Sequence, residues 1–264
     1  MVIVVAAVVV LSSPLADGWW PAVSDARTAQ TTVAPTTLAE TASTQTSTIA
    51  PTSTTEAGSA GPVDGAALLV VLQGGSPAVF ALVSGGPDRG VVLGMPSVTL
   101  LRVGDRFERL ADVYTSPDDL SGPEQAVSDV LDASIAAVAS IEWSDLRQAV
   151  TGAVGGSGLP EELDGQGADA GAVAAVLAGA LSAQHAGSVA AGGWLADAHV
   201  GGDRDAFLAS LEAESASMTA GGWEGQAITG RHVEYAPGAA YLEPDVQAAK
   251  SILAGTSARP GSGS

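Results

Sequence analysis

The apolar positions of the chain follow three different patterns along its length. Val2–Leu11 is an unbroken apolar run, whereas residues 21–62 contain almost no large apolar side chain. From residue 63 to residue 254, short apolar runs alternate with polar turns rich in Gly and Pro. We therefore expect one folded domain, preceded by two segments of a different physical character.

The apolar run at the start predicts a membrane anchor or signal over residues 1–20. A spanning helix needs about 20 apolar residues, and a secretory signal normally has a basic start. Val2–Leu11 is too short and begins directly after Met1, so a start site farther upstream would explain both defects. Trp19 and Trp20 would then lie at the outer membrane interface. The alternative is a buried strand of the folded domain.

Residues 21–62 are typical of a disordered stalk on an exported protein. They contain twelve Thr, five Ser and four Pro. Such a segment cannot bury enough apolar surface to offset the entropy lost on ordering. Thr/Ser/Pro tracts of this kind are often O-glycosylated; an unmodified linker is the alternative.

The alternating pattern from residue 63 to residue 254 predicts an α/β fold. Strands are expected at Ala66–Leu72, Ala78–Val83, Val91–Met95, Val98–Val103, Ile135–Ile141, Ala227–Thr229 and Ala239–Leu242. Helices are expected over residues 121–132, 143–150, 203–218 and 243–254, with a buried helix in the uncharged stretch 170–196. This order predicts a single domain with a central mixed β-sheet flanked by helices, followed by a disordered tail at 255–264.

Composition excludes several kinds of site. The chain has 29 acidic and 10 basic residues among 264, a formal charge of −19, and its basic residues do not cluster, so direct nucleic-acid binding is not expected. It has no Cys, which excludes thiol chemistry and Cys-based metal sites, and it has only three His. It has neither a phosphate-loop motif nor a G-x-S-x-G nucleophile motif.

Several segments, in order, resemble the LytR/CpsA/Psr (LCP) family of cell-envelope enzymes. The most specific is Gly122–Leu131, which is followed by the expected strand and by Trp143–Val150 ending near Gly155-Gly156. Arg109–Tyr114 resembles the family's segment ending in Ala-Ala-Tyr, and Asp64–Val71 resembles its first core strand with an Asp near the start. Gly238–Asp245 is similar to a segment near the end of many members.

The resemblance implies a reaction and a set of site residues. Family members transfer glycopolymers from a polyprenyl-pyrophosphate carrier to peptidoglycan, which requires cations on the pyrophosphate and an Asp-held Mg²⁺. Carried onto this chain, the family pattern makes Asp64 the candidate metal ligand, and an active enzyme would need Mg²⁺. Arg89 and Arg204 are the arginines that remain as catalytic candidates. Ser97, Val98 and Thr99 follow Pro96 at the family's catalytic motif and are the candidate ligand-binding positions.

The chain departs from the family pattern where the charges matter. Ser97 and Val98 occupy the positions at which the family has Arg and Asp, and Arg204 is flanked by Asp203 and Asp205. Losing one good electrostatic donor lowers a rate by roughly 10²–10³. The sequence therefore predicts a catalytically degenerate member that works by binding.

Three functions remain open at this point. The first is an extracytoplasmic, membrane-tethered domain that binds a polyprenyl-phosphate lipid or an active family partner. The second is an active glycopolymer phosphotransferase that uses Asp64, Arg89 or Arg204. The third is a stalk-displayed surface protein without ligand chemistry, to which the Thr-rich segment gives the main support.

Overall fold

A computed structural model describes residues 63–103, 106–155, 159–188, 192–218, 222–236 and 239–257. For Val63 and Asp64 the structure describes the backbone but not the side chain. The predicted anchor at 1–20 and the predicted stalk at 21–62 lie outside the described residues, as does most of the predicted tail.

The described residues form ten strands, five α-helices and one short 3₁₀ helix. The strands are β1 Val63–Gln73, β2 Ser76–Gly85, β3 Gly90–Pro96, β4 Leu100–Val103, β5 Arg106–Arg109, β6 Ala133–Glu142, β7 Val200–Gly202, β8 Trp223–Ala227, β9 Gly230–Ala236 and β10 Ala239–Pro244. The α-helices are α1 Ser121–Leu131, α2 Trp143–Val154, α3 Gly167–His185, α4 Arg204–Ser217 and α5 Val246–Ser257, and a short 3₁₀ helix spans Gly193–Leu195.

Six strands form one mixed sheet in the order β7-β6-β1-β2-β3-β8. β1 is parallel to β6 and antiparallel to β2, and β3 is antiparallel to β2 and parallel to β8. The strands β1, β3, β6 and β8 therefore run in the same direction, and their carboxyl ends meet at one edge of the sheet. The predicted α/β fold with a central mixed sheet flanked by helices is confirmed.

Both faces of the sheet are covered, which explains why its central strands are uninterrupted apolar runs. Alternate residues of β1 point to opposite faces. Leu69 and Val71 join the core under α2, α3 and α4, whereas Leu68 and Val70 join the core under α1 and α5. The four residues are at most 1% exposed. The fold is thus a sheet between two helical layers.

Helix α3 packs directly on the backbone of β3 and β8 because both strands have glycine at the contact. A Cβ atom at Gly94 would lie 2.2 Å from the carbonyl oxygen of Ala170, and one at Gly225 would lie 2.4 Å from backbone atoms of Ala174. These glycines, together with the small residues of α3, let the helix approach much closer than larger side chains would allow.

Three expectations for local structure were wrong. The uncharged stretch 170–196 is not one helix, because α3 ends at His185 and a turn and the 3₁₀ helix follow. The strand expected at Ala227–Thr229 lies earlier, at β8, whose polar residues hide it in the sequence. Residues 97–98 form a turn, so the strand expected from Val98 begins at Leu100. In the part of the chain that is described, no helix has the length and apolar character needed to cross a membrane.

Candidate functional site

The candidate site lies at the edge where β1, β3, β6 and β8 end, which we call the carboxyl edge. These strands finish at Gln73, Pro96, Glu142 and Ala227. In open α/β sheets, ligands bind outside the carboxyl ends of the strands. The position that resembles the family's catalytic motif directly follows Pro96 and therefore lies at this edge.

The segment Ser97–Thr99 is held in place by backbone contacts. The amide of Ser97 donates to the carbonyl of Ala78 at 3.0 Å. Thr99 is fully buried, and its hydroxyl donates to the carbonyl of Pro96 at 2.7 Å. Val98 packs against the core beneath α1 and α5. The side chains of Val98 and Thr99 therefore stabilise the turn and its packing. Of the three predicted ligand-binding side chains, only that of Ser97 has no such structural role.

The loop 159–166, between α2 and α3, crosses the carboxyl edge. The indole of Trp143 donates to the carbonyl of Pro160 at 3.1 Å, and the amide of Leu163 donates to the side-chain oxygen of Gln73 at 3.2 Å. Gly165 has a φ of 75°, and a Cβ atom there would lie 2.5 Å from the hydroxyl of Ser97. The loop therefore closes directly over the motif position.

Carboxyl groups dominate this loop and its surroundings. Asp169 accepts hydrogen bonds from the amides of Asp164 and Gly165. Burial and a hydrogen bond from Asp164 raise the pKa of Asp169, and the same side-chain hydrogen bond lowers the pKa of Asp164. The pKa values of the two carboxyls are thus shifted in opposite directions. The loop also has Glu161 and Glu162, both exposed.

A further carboxylate fixes the turn between β1 and β2. Both amides of that turn, from Gly74 and Gly75, donate to Glu142, at 3.1 and 2.8 Å. Both glycines have positive φ, a conformation that glycine adopts without strain and that is common in two-residue hairpin turns. Glu142 is therefore committed to the hairpin.

Two arginines lie close to the carboxyl edge, and both are engaged. Arg109 pairs with Leu100 across β4 and β5, one residue from Thr99. Its guanidinium forms two hydrogen bonds with Asp112, at 2.7 and 2.5 Å, and these bonds raise the pKa of Arg109. Arg147 approaches the carbonyl of Pro160 at 3.5 Å. The charge balance at this edge remains negative.

Tyr114, the last residue of the segment that resembles the family's Ala-Ala-Tyr, also lies near this edge. Its amide donates to the carbonyl of Ala111, whose own amide donates to the carbonyl of Ser97. The Tyr114 hydroxyl is buried and has no hydrogen-bond partner among the described residues. Burial, followed by the nearby charges of Glu142 and Asp118, raises the pKa of Tyr114. The hydroxyl therefore stays protonated and is a free hydrogen-bond donor.

Asp64 and Arg89 lie at the opposite edge of the sheet. Asp64 is the second residue of β1, and Arg89 directly precedes β3. Gly90 and Pro96, at the two ends of β3, are separated by about 20 Å at 3.3 Å per residue. Arg89 donates to Glu224 at 3.3 Å and to the carbonyl of Ile252 at 3.4 Å. The structure therefore does not bring these two residues together with Ser97–Thr99.

Arg204 is the first residue of α4, and its side chain lies at a third place, the end of the 3₁₀ helix. Its guanidinium donates to the carbonyls of Leu195 and Ala196, at 3.0 and 2.9 Å. It thereby caps the end of the 3₁₀ helix, where the carbonyl of Leu195 also accepts a hydrogen bond from the amide of Ala198 at 3.2 Å. The side chain contacts backbone oxygens, which is a positioning arrangement rather than an anion site.

Glu214 is the most strongly perturbed acid that sequence reasoning missed. It lies on α4, is 7% exposed, and accepts a hydrogen bond from the amide of Gly85 at the end of β2. Burial raises the pKa of Glu214 to about 7, against the opposing effect of the Gly85 hydrogen bond. In the sequence it belongs to Glu212-Ala-Glu214, which has the pattern of a solvated helix face.

Within the described residues there is no group of three or more His, Asp or Glu side chains positioned to hold a metal ion. The Asp64 side chain lies outside the described features. Its role as a ligand for Mg²⁺ stays a prediction.

Comparison with known proteins finds a likeness in fold. No family model and no curated protein matches the sequence. Among solved structures, TagT bound to LI-WTA is similar at 13% identity and a TM-score of 0.48, with 72% of this chain and 89% of that chain covered. Bacillus subtilis TagV is similar at 14% identity and a TM-score of 0.46, over 71% of this chain and 94% of that one.

A transcriptional regulator from Enterococcus faecalis is similar at 15% identity and a TM-score of 0.49, over 72% of this chain and 86% of that one. TagT and TagV are LCP-family enzymes. The family resemblance found in the sequence is thus accompanied by a likeness in fold, and at this identity the likeness concerns the fold alone.

Proposed function

We propose that this chain is a catalytically degenerate LCP-like protein that acts in the cell envelope by binding, and that its partner is an active transferase of the same family. The domain would be held outside the cytoplasm by its N-terminal segment. The observation that carries the proposal is the acidic loop 159–166 closing over Ser97, where the family resemblance calls for a cationic site.

The electrostatics of the carboxyl edge oppose phosphoryl transfer. A pyrophosphate needs positive charge to disperse its developing charge in the transition state. Here Ser97 and Val98 supply no charge, Arg109 is paired with Asp112, and the Asp164–Asp169 pair lies beside the motif. Like charges brought this close cost free energy in a partly buried site, so this edge disfavours a phosphorylated substrate.

The same reasoning favours a protein partner over a lipid carrier. A polyprenyl phosphate presents an anion to the binding site and an alkyl chain that needs an apolar channel. The carboxyl edge is acidic, and α3 touches the backbone of β3 and β8 at Gly94 and Gly225. An alkyl chain therefore finds no space between α3 and these two strands, whereas a protein surface bearing Lys and Arg suits the acidic edge.

The experiment combines a transfer assay with native mass spectrometry of the full chain. The purified chain is incubated with lipid-linked glycopolymer, peptidoglycan and Mg²⁺, alone and with an active family transferase. We expect no transfer by the chain alone and a one-to-one complex with the transferase. Glu161→Lys with Glu162→Lys should weaken the complex, and Glu212→Lys, on α4, is the matched control.

Two results would contradict the proposal. Mg²⁺-dependent transfer by the chain alone would establish an active phosphotransferase, and Asp64→Ala would then be expected to abolish it. A polyprenyl-phosphate adduct on the purified chain, with no complex, would replace the protein partner by the lipid. A chain with neither lipid nor partner would favour a display function.

A further inference from the structure

We propose that the turn between β2 and β3 is a proton-controlled latch, which the neutral carboxyl of Glu214 keeps closed and the ionised carboxylate releases together with the end of α5. The turn comprises residues 84–90 and lies at the edge of the sheet opposite the carboxyl edge. The latch does not involve the loop 159–166 and is independent of the proposed function.

The first side of the latch is the contact of the turn with α4. The amide of Gly85 donates to one carboxyl oxygen of Glu214. The other carboxyl oxygen lies against β1, because a Cβ atom on Gly65 would be 3.1 Å from it. Ser210, one turn earlier on α4, donates from its hydroxyl to the carbonyl of Gly65 at 3.3 Å. Glu214 is therefore enclosed between the end of β2 and the start of β1.

The second side of the latch is the contact of the turn with the end of α5. The hydroxyls of Ser84 and Thr256 form a hydrogen bond at 3.1 Å, and both residues are 1% exposed. A Cβ atom on Gly86 would overlap the carbonyl oxygen of Thr256, so the two backbones are in direct contact. Arg89 donates to the carbonyl of Ile252 at 3.4 Å. One turn thus joins α4, on one face of the sheet, to α5, on the other.

The surroundings of Glu214 suit a neutral carboxyl better than a carboxylate. The residue is 7% exposed, and the Gly85 amide is its only hydrogen-bond donor in the described part of the chain. A buried carboxylate without a positive partner is strongly disfavoured relative to the neutral acid. The raised pKa of Glu214, about 7, agrees with this geometry.

No positive charge compensates for the burial of Glu214 among the described residues. Helix α4 packs against α3, β1, β2 and β6. The charged or titratable residues of these four elements are Asp64, Glu142, Asp169 and His185. Glu142 and Asp169 bind backbone amides at the carboxyl edge, and His185 is exposed, as are Glu212 on α4 and Asp88 in the turn. Arg89 is directed to Glu224 and to α5. None of the described charges contributes to the raised pKa of Glu214.

Ionisation of Glu214 therefore favours opening of the latch. The carboxylate regains its hydration only if the contact between α4 and the turn separates. The turn is the end of a hairpin, since Gly85 pairs with Gly90, and it can separate locally while the central strands stay paired. The end of α5 is released in the same step, because Ser84 and Gly86 hold it.

Hydrogen–deuterium exchange of the full chain between pH 5.5 and pH 8, corrected for the intrinsic exchange rate, tests the latch. A carboxyl whose pKa is about 7 when the latch is closed and 4.5 when it is open favours the closed form at low pH. We expect the protection of the amides in 84–90 and 252–257 to fall about thirtyfold over this range. The amides of 66–72, in β1, should remain better protected at every pH.

Three variants separate the contributions. Glu214→Gln keeps an acceptor for the Gly85 amide and cannot ionise, so both segments should stay protected at pH 8. Glu212→Gln, at an exposed position on the same helix, is the matched control and should behave as wild type. Ser84→Ala removes the hydroxyl that contacts Thr256. It should raise exchange at the end of α5 at every pH, while the turn keeps its pH dependence.

Three results would overturn the proposal. The first is protection of both segments that does not change with pH. The second is a pH dependence that persists in Glu214→Gln, or that Asp64→Asn abolishes instead. The third is equal protection of 66–72 and the two latch segments at every pH, which would mean that the whole domain unfolds as one unit. If Glu214→Gln fails to fold, Glu214→Met, which is also neutral and of similar size, replaces it with the same expectation.

Discussion

At the scale of single residues, Glu214 makes stability depend on pH. Its pKa is about 7 in the fold and near its ordinary value of 4.5 in the unfolded chain. The folded state therefore holds a proton that the unfolded state releases, and the free energy of unfolding falls as pH rises from about 4.5 to 7. The loss amounts to at most about 3 kcal/mol above pH 7. Urea unfolding between pH 4.5 and pH 8 measures it.

Glu214→Gln should remove most of this pH dependence. Glutamine keeps an oxygen that accepts from the Gly85 amide but has no proton to lose, so the variant should be more stable than wild type at pH 8. Glu212→Gln, at an exposed position on the same helix, is the matched control and should leave the pH profile unchanged. An unaltered slope in Glu214→Gln would show that another group is responsible.

Arg204 is expected to stabilise the fold by capping the 3₁₀ helix. Arg204→Met removes the Nη2 group that donates to the carbonyls of both Leu195 and Ala196, and it should lower the free energy of unfolding by about 1–2 kcal/mol. Arg231→Met, which breaks a surface ion pair with Glu243, should change it by less than about 1 kcal/mol. Equal effects in urea unfolding would argue against the capping role.

At the scale of elements, the contact of α3 with the sheet depends on glycine in the strands. Gly94→Ala or Gly225→Ala places a methyl group into the α3 backbone and should destabilise the protein by roughly 1–3 kcal/mol. Gly171→Ala, in α3 itself, meets only an ordinary contact at 3.8 Å and should stabilise by about 0.5–1 kcal/mol. Thermal unfolding should therefore shift in opposite directions; a common direction would contradict this packing.

The strongly apolar elements were predictable, and the weakly apolar ones were not. β1, β2 and β3 are covered on both faces, so their sequences are continuous apolar runs with clear ends. β8 is an edge strand with the sequence Trp-Glu-Gly-Gln-Ala, and only its pairing with β3 makes it a strand. The end of α3 at His185 was hidden because the uncharged Ala- and Gly-rich pattern continues past it.

The site was predictable only as far as chain order determines position. Ser97–Thr99 follow a strand end, so their place at the carboxyl edge follows from the order of elements. The closure of the loop 159–166 over Ser97 depends on contacts with Gln73 and Trp143, which are distant in sequence. Glu214 is likewise buried against the ends of β1 and β2, which are distant in sequence. The residues next to Glu214 in the sequence therefore do not predict that it is buried.

At the scale of the whole molecule, the excess of acid opposes compactness. Residues 63–257 contain 25 acidic and 8 basic side chains, a formal charge of −17. Like charges on one domain repel, and salt shortens the range of the repulsion from about 10 Å at 0.1 M to about 3 Å at 1 M. The free energy of unfolding should therefore rise between 20 mM and 500 mM NaCl. A decrease in urea unfolding would mean that specific ion pairs outweigh the general repulsion.

The position of β1 determines how the domain responds to mechanical tension. The preceding chain enters at residue 63 directly into a central strand, which lies between β6 and β2. A pull from that side acts along the strand, and its hydrogen bonds to both neighbours lie across the direction of the pull. These bonds must then shear together instead of opening one after another. A pull applied at the N-terminal end of β1 therefore meets the combined resistance of two rows of hydrogen bonds.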